Sequence, residues 1–329
     1  MDRQIGRLTA AKGGDLGSLK RHVGRTVYRL LAPRVSRAGG QLGNGQPIVA
    51  GFLSTPSGLG ESARLCYSAL ESLGLSPQYF DFGRRFARAA KLDAFSAQGI
   101  VDWRAAGPLI VHANPPELPA VCFFMGKRAL AHRFVVGYWA WELETIPPAW
   151  MPGFRYVHEV WTPSHFAAEA IRPFTDKPVR VVPHPLSPVE AKRDRQRFGL
   201  AERDLLVLCG CDLRSSVERK NLEGNIKAFR TAFGEADDVA LLIKMGGAEA
   251  YPELANEIET RVDSLNNVRL MSDVLSADAM VGLIATADII LSLHRSEGFG
   301  LLPAQAMVLG KPTIATYWSG NMDYMAEGA

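Results

Sequence analysis

Residues 288–316 read DIILSLHRSEGFGLLPAQAMVLGKPTIAT. The run 288–293 is short and apolar, as expected of a strand buried on both faces. Past His294 the chain reaches Gly298, Phe299 and Gly300, a turn. A helix over 302–309 follows, with Pro303 near its start and Gly310 at its stop. Residues 313–315 predict the next strand. Strand, glycine turn, helix and strand form the repeating unit of a parallel, doubly wound sheet. The free N–H groups at the start of such a helix attract negative charge, and the two glycines let a ligand approach the backbone closely. A diphosphate suits that place. Glu297 sits on the turn and faces the same cleft. Gln305, eight positions on, lies about two helical turns away near the same face.

The same alternation extends upstream. Strands are expected at 205–209, 239–243 and 268–271, and helices at 221–233, 251–265 and 277–285. An earlier set opens with PIVAGFL (47–53), the loop TPSGLGE (55–61) and a helix closed by Gly74. Further strands are expected at 109–113, 134–138, 159–161 and 179–182. Between the sets, HPLSPVEAKRDRQRFGLAERD (184–204) reads as a linker with a solvated helix. Two βαβ sets predict two Rossmann-like α/β domains facing a cleft, at 47–186 and 204–329, joined by a linker at 187–203. A length of 329 residues favours two cores over one. The second set stops just after SGNMDYM, where such a domain normally adds a strand and a helix. An incomplete second domain is therefore expected.

Composition narrows the function classes. The net charge of +3 hides an asymmetry: residues 1–45 hold nine Lys/Arg and two Asp, so the remainder carries −4. The body of the chain has no nucleic-acid signature. Residues 1–46 form a basic arm in which Leu16, Leu19, Val23, Val27 and Leu30 recur at helical spacing among Lys20, Arg21, Arg25 and Arg29. Such a segment can lie on an anionic membrane surface or dock on its own protein; Pro33 ends it. No secretory segment or membrane span is read, so a cytoplasmic location is expected, with the arm as a peripheral contact at the inner membrane face. The four cysteines are too few for a disulfide framework, and Cys209 and Cys211 would pack on one face of a strand.

Three further stretches carry chemistry. In CDLRSSVERKNLEGNIKAFRTAFG (211–234), Arg219, Lys220 and Asn221 precede a helix with Leu222, Ile226 and Phe229 on its apolar face. In GFLSTPSGLGESAR (51–64), Gly58, Leu59 and Gly60 lead into a helix with Glu61 in its first turn. The dinucleotide fingerprint lacks its third glycine there. In the first domain, His112 and Asn114 end an apolar strand, where open α/β sheets bind ligands. Trp139, Trp141, Glu142 and Glu144 mix aromatics with carboxylates, as sugar-binding clefts and ordinary cores both do. No Asp/Glu cluster has metal-site spacing, and no D-x-D occurs.

EGFGLLPAQAM (297–307) resembles the retaining GT-B enzymes of glycosyltransferase family 4, the glycosyl transferases group 1, whose pattern is close to E-G-F-G-L-x-x-x-E-A-M. Glu297 matches the first glutamate, and Gln305 replaces the second. The resemblance covers about 47–325. It implies that Glu297 contacts the donor sugar and that position 305 hydrogen-bonds the ribose. It makes Lys220 and Arg219 diphosphate ligands with Gly298, Phe299, Gly300 and Leu301, Arg214 being a weaker candidate. Asn114 is implied near the reacting sugar. The Gly58–Leu59–Gly60 loop would reach towards donor phosphates and acceptor; apart from the resemblance, the aromatic and acidic stretch 139–144 makes Glu142 a candidate acceptor contact. Asp323, in SGNMD, falls where the family usually carries a glutamate near the nucleotide.

The implied reaction is transfer of a hexosyl group from a nucleotide-diphosphate sugar to a glycan, lipid or small-molecule acceptor, of the kind used in polysaccharide biosynthesis. Neither metal nor cofactor would be required, because a cation and helix amides can stabilise the leaving diphosphate. A non-catalytic nucleotide-sugar-binding relative is the alternative, favoured by Gln305; a GT-B nucleotide-sugar epimerase is another.

Overall fold

A computed structural model describes residues 27–36, 40, 43, 45–83, 86, 95, 101–104, 107–131, 133–188, 190–201 and 205–325. Of the basic arm's apolar series, Leu16, Leu19 and Val23 lie outside the described residues, and helix covers 27–31.

The first sheet contains β1 (Ile48–Gly51), β2 (Gln78–Asp81), β3 (Leu109–His112), β4 (Val135–Tyr138), β5 (Glu159–Thr162) and β6 (Val179–Val181), in the order β2-β1-β3-β4-β5-β6. Every pairing is parallel. Strands β1, β3 and β4 are buried along their whole length, which is why their sequences are unbroken apolar runs rather than alternating ones. On one face, α1 (Gly58–Ser72) lays Ala63, Cys66 and Leu70 against Val49, Leu53 and Ile110. The other face packs on α2 (Leu118–Met125), α3 (Lys127–Leu130) and a 3₁₀ segment Pro148–Tyr156. Helix α4 (His165–Ile171) follows β5, with Ser164 accepting from the Ala167 N–H as its N-cap.

The second sheet runs β11-β10-β7-β8-β9, again all parallel: β7 (Leu205–Asp212), β8 (Val239–Gly246), β9 (Val268–Met271), β10 (Ile289–Ser292) and β11 (Thr313–Ala315). Helices α5 (Val217–Lys220), α6 (Leu222–Phe233), α7 (Pro252–Asp263), α8 (Ala277–Thr286) and α9 (Leu301–Val308) connect the strands. Residues Leu222, Ile226 and Phe229 of α6 join one core cluster with Val207, Cys209 and Cys211, while α8 and α9 join Leu206, Leu208 and Ile290 on the opposite face. The two doubly wound sheets bear out the predicted fold class.

Five elements depart from the sequence reading. Strand β2 was not expected, because QYFD is short and half polar; its pairing with β1 supplies what its pattern lacks. Strands β7 and β8 pair over eight residues and extend past the predicted ends to Asp212 and Gly246. The expected helix at 221 begins at Leu222, because Asn221 takes the left-handed conformation (φ 52°, ψ 47°) and separates α5 from α6. The solvated linker helix is instead a single 3₁₀ turn, Gln196–Phe198.

That turn has an anchor. Arg195 is fully buried, with Nη2 donating to Asp288 Oδ2 at 2.5 Å and Nη1 to the Ala201 carbonyl at 2.7 Å. Asp288 Oδ2 also accepts from the Leu206 N–H at 2.8 Å, joining the linker to the start of both β7 and β10. Asp288→Ala would leave a buried guanidinium without its counter-charge. A loss of about 3–5 kcal/mol is expected, read as a lower urea midpoint at unchanged slope. A loss under about 1 kcal/mol would show that water reaches the pair.

Candidate active site

The cluster around Glu297 is assembled by backbone clamps on the end of β10. Asn221 Nδ2 donates to the Leu293 carbonyl at 2.7 Å, and Asn225 Oδ1 accepts from the Leu293 N–H at 3.0 Å. The Arg295 N–H donates to the Arg219 carbonyl at 2.8 Å. These bonds hold the turn between α5 and α6 against the segment after β10. Lys220 and Arg219 thereby reach Glu297, which is 77 positions away from Lys220 in the chain. Asn221 is thus a clamp in this structure, and Asn225, one turn into α6, is the partner that motif reading missed.

Glu297 is buried, and both its oxygens are engaged. Lys220 Nζ donates to Oε1 at 2.5 Å, and Arg219 Nη1 lies 3.1 Å from Oε2. Arg219 is spread further: Nη1 donates to the Ser296 carbonyl at 2.6 Å, Nη2 donates to Ser215 Oγ at 2.6 Å, and Nη2 lies 3.5 Å from Glu142 Oε1 of the first domain. Burial pushes the Glu297 carboxyl upward, but Lys220 and then Arg219 outweigh it and hold the group below its ordinary value. Glu142 goes the other way. Burial raises it, Arg219 opposes, and the neighbouring Glu297 charge raises it again. Two carboxylates sharing one guanidinium are therefore pushed apart in proton affinity, a frequent property of reacting sites.

The glycine turn is one place where the two domains touch. A Cβ on Gly298 would stand 2.6 Å from the Trp141 carbonyl, and one on Gly320 would stand 2.2 Å from the Gly298 carbonyl. Only glycine permits either approach. Ser164 Oγ donates to the Gly298 carbonyl at 2.6 Å, and the Ser296 hydroxyl donates to the Glu142 carbonyl. Phe299 packs edge-on against His184 at 4.8 Å, and His184 stacks with Tyr138 at 5.5 Å. Gly300 (φ 85°) starts α9, and no side chain caps that helix. Pro303 has no N–H, so the first turn of α9 carries the Leu301 and Leu302 amides, at the helix start to which the sequence reading assigns an anion.

The remaining predicted residues are placed as follows. Gln305 is half-buried on α9, without a side-chain hydrogen bond among the described residues. Asp323 accepts from the His165 N–H at 2.8 Å and pairs with His165 Nδ1 at 2.9 Å, so in this structure it caps α4 across the domain boundary. Asn114 Oδ1 accepts from the Ala140 N–H at 3.0 Å and so positions the segment leading to Trp141 and Glu142. His112 is buried, with Nδ1 2.8 Å from Ser62 Oγ and, among the described residues, no partner at Nε2. Trp139 is core, and Glu144 is exposed. Gly58 is open, Leu59 half-buried, and Gly60 packs so closely that a Cβ would meet the Thr55 carbonyl at 2.2 Å. Arg214, gripped by Asp212 through Nε (3.0 Å) and Nη2 (2.9 Å), donates to the Pro56 carbonyl at 2.5 Å. It therefore ties the Gly58–Gly60 loop to the second domain. Ser296 gave no motif signal, because its role depends on a domain contact. Among the described residues, no three His, Cys, Asp or Glu side chains gather as a metal site.

No curated protein matches the chain. Solved structures share its architecture. Anabaena HepE (Alr3699) in complex with UDP and glucose superposes with a TM-score of 0.59 at 16% identity, covering 87% of this chain and 84% of that one. The same protein with UDP-glucose gives 0.58 at 17% identity over the same shares. A glycosyltransferase from Rickettsia africae ESF-5 gives 0.57 at 12% identity, covering 86% and 81%. The fold is the GT-B fold, and residues 204–329, which carry Lys220, Glu297 and the glycine turn, match the family described as Glycosyl transferases group 1.

Proposed function

We propose that this protein is a retaining glycosyltransferase, transferring a hexosyl group from a nucleoside diphosphate sugar in the second domain to an acceptor held against the first. The observation that carries this reading is the Lys220–Glu297–Arg219 cluster beside the uncapped end of α9. When the bond between the sugar C1 and the diphosphate oxygen breaks, negative charge grows on the departing oxygen and positive charge on the sugar. Lys220, Arg219 and the α9 amides meet the first, and Glu297 meets the second. The acceptor oxygen then bonds to C1 on the face the diphosphate leaves, and a leaving phosphate oxygen takes its proton. The positive charge that a metal supplies elsewhere is assigned to these side chains. UDP-glucose in HepE supports a UDP-sugar donor. Glu142, which reaches the same cluster from the first domain, is assigned to the acceptor. A binding-only relative is the second reading, favoured by Gln305. We place the protein in the cytoplasm with its basic arm on an anionic membrane; exposed Leu30 and Leu31 beside Arg29 support that contact.

A panel of UDP-, ADP- and GDP-sugars tests the reading, with calorimetry for binding and chromatography for released nucleoside diphosphate. Turnover with retained anomeric configuration is expected. Binding without turnover on any acceptor would select the second reading, and no binding would overturn both. Lys220→Ala should weaken nucleoside diphosphate binding by about 1.5–3 kcal/mol, the usual worth of a hydrogen bond to a charged group. The free nucleoside should bind as before; equal losses for the two would remove Lys220 from the phosphate site.

A further inference from the structure

A cavity of about 530 Å³ opens on the second domain among α6, the end of α7 and the segment after β10. Its wall is unusually cationic. Lys227 and Arg230 lie on α6, three apart and so on one helix face; Arg261 comes from the last turn of α7, and Arg295 from the chain after β10. The lining carboxylate, Glu223, is already bonded by Arg261. Arg230 is held by Glu235 at 3.0 Å and by Asn267 Oδ1 at 3.3 Å. Lys227 and Arg295 have no carboxylate partner among the described residues. Among the described residues, Arg295 Nη1 donates only to the Glu218 carbonyl, at 2.8 Å, which leaves the rest of its donor fork open there.

This cavity is separate from the cluster around Glu297, although both use the turn between α5 and α6. Lys220 and Arg219 reach from that turn to Glu297, whereas Asn221 lines the cavity. We propose that the cavity is a second anion site, which takes a small dianion carrying a phosphate group. Glu223 and Glu235 neutralise Arg261 and Arg230, so Lys227 and Arg295 are left as two uncompensated cations on the same concave wall. A phosphate group satisfies an arginine fork through two oxygens and accepts from a lysine ammonium through a third. A singly charged or neutral ligand would leave one of the unneutralised pair, Lys227 and Arg295, without a counter-charge.

The test titrates inorganic phosphate and glycerol 3-phosphate into the protein by calorimetry, with the cleft saturated by UDP. Saturable binding is expected for at least one probe, and the tighter probe tells free phosphate from a phosphate monoester. Binding should fall by about tenfold or more in Lys227→Glu, a change on an exposed helix position that leaves folding intact. It should also fall in Lys227→Ala/Arg295→Ala and persist in Lys220→Ala. Absence of saturable binding, or equal binding in the Lys227 variants, would overturn the site. If UDP itself fails to bind, the proposed function suffers, while the comparison of Lys227→Glu with Lys220→Ala still decides this inference.

Discussion

Glu297→Gln is expected to slow sugar transfer by about a hundredfold or more, while nucleoside diphosphate binds as tightly as before or more tightly. The side chains have nearly the same shape, so the change is one of charge. Glu297 is buried, yet Lys220 and Arg219 keep its carboxyl below the ordinary range, so it is ionised at neutral pH. Its charge has two effects with opposite consequences for the donor. Before binding, it holds Lys220 at 2.5 Å and Arg219 at 3.1 Å, so an arriving diphosphate must draw both cations away. In the proposed reaction it would face the positive charge that develops on the sugar, an interaction realised only in the transition state. Glutamine removes both effects, and turnover and binding should separate. Steady-state rates and calorimetric affinities check this directly. A rate within about threefold, less than 1 kcal/mol of barrier, would reduce Glu297 to a structural turn residue. Gln305→Glu should do the converse, tightening nucleotide binding through an ionised acceptor and changing the rate little.

Stability is expected to fall by about 6 kcal/mol between pH 7 and pH 4 through two histidines of the first domain. Burial lowers His112 to about 3, with the nearby His184 adding to the shift, and burial lowers His184 to about 4. Both groups are neutral in the folded protein at pH values where the unfolded chain, near 6.5, takes up protons. The unfolded state thus binds more protons below pH 6.5, and stability decreases as pH falls. The contribution is complete above pH 6.5 and is lost progressively towards pH 4 and 3. The geometry agrees: His112 stacks on Tyr138 at 4.6 Å, and His184 sits between Tyr138 and Phe299, so neither imidazolium would have water. Urea midpoints from pH 7 to 4.5 should fall steeply, and His112→Asn, which keeps a partner for Ser62, should flatten the slope. A pH-independent midpoint would show that both rings are hydrated. Because His184 packs on Phe299 of the glycine turn, domain docking should weaken in the same pH window.

How much of this was legible depends on the range of the interaction. Buried parallel strands need apolar residues on both faces, and glycine is the residue that a left-handed or crowded turn tolerates. The doubly wound class and the turn at Gly298–Gly300 therefore follow from local pattern alone. Glu297 was marked by its place on that turn, and Lys220 by the resemblance to a known family. Their direct pairing was not, since it depends on Asn221 and Asn225 clamping Leu293, a contact between elements about seventy residues apart. Strand β2 lacks an apolar pattern, and the linker around Arg195 reads as solvated until Asp288 supplies its counter-charge. The sequence by itself determined which segments bury themselves and which residue types stand at the turn, because those choices are settled within a few residues. Only the tertiary structure decided that Asp323 caps α4, that Arg214 holds the Pro56 loop and that Glu142 shares Arg219 with Glu297. Each of those is a polar bond across the domain boundary, and its energy exists only once two independently formed surfaces have removed water from between them.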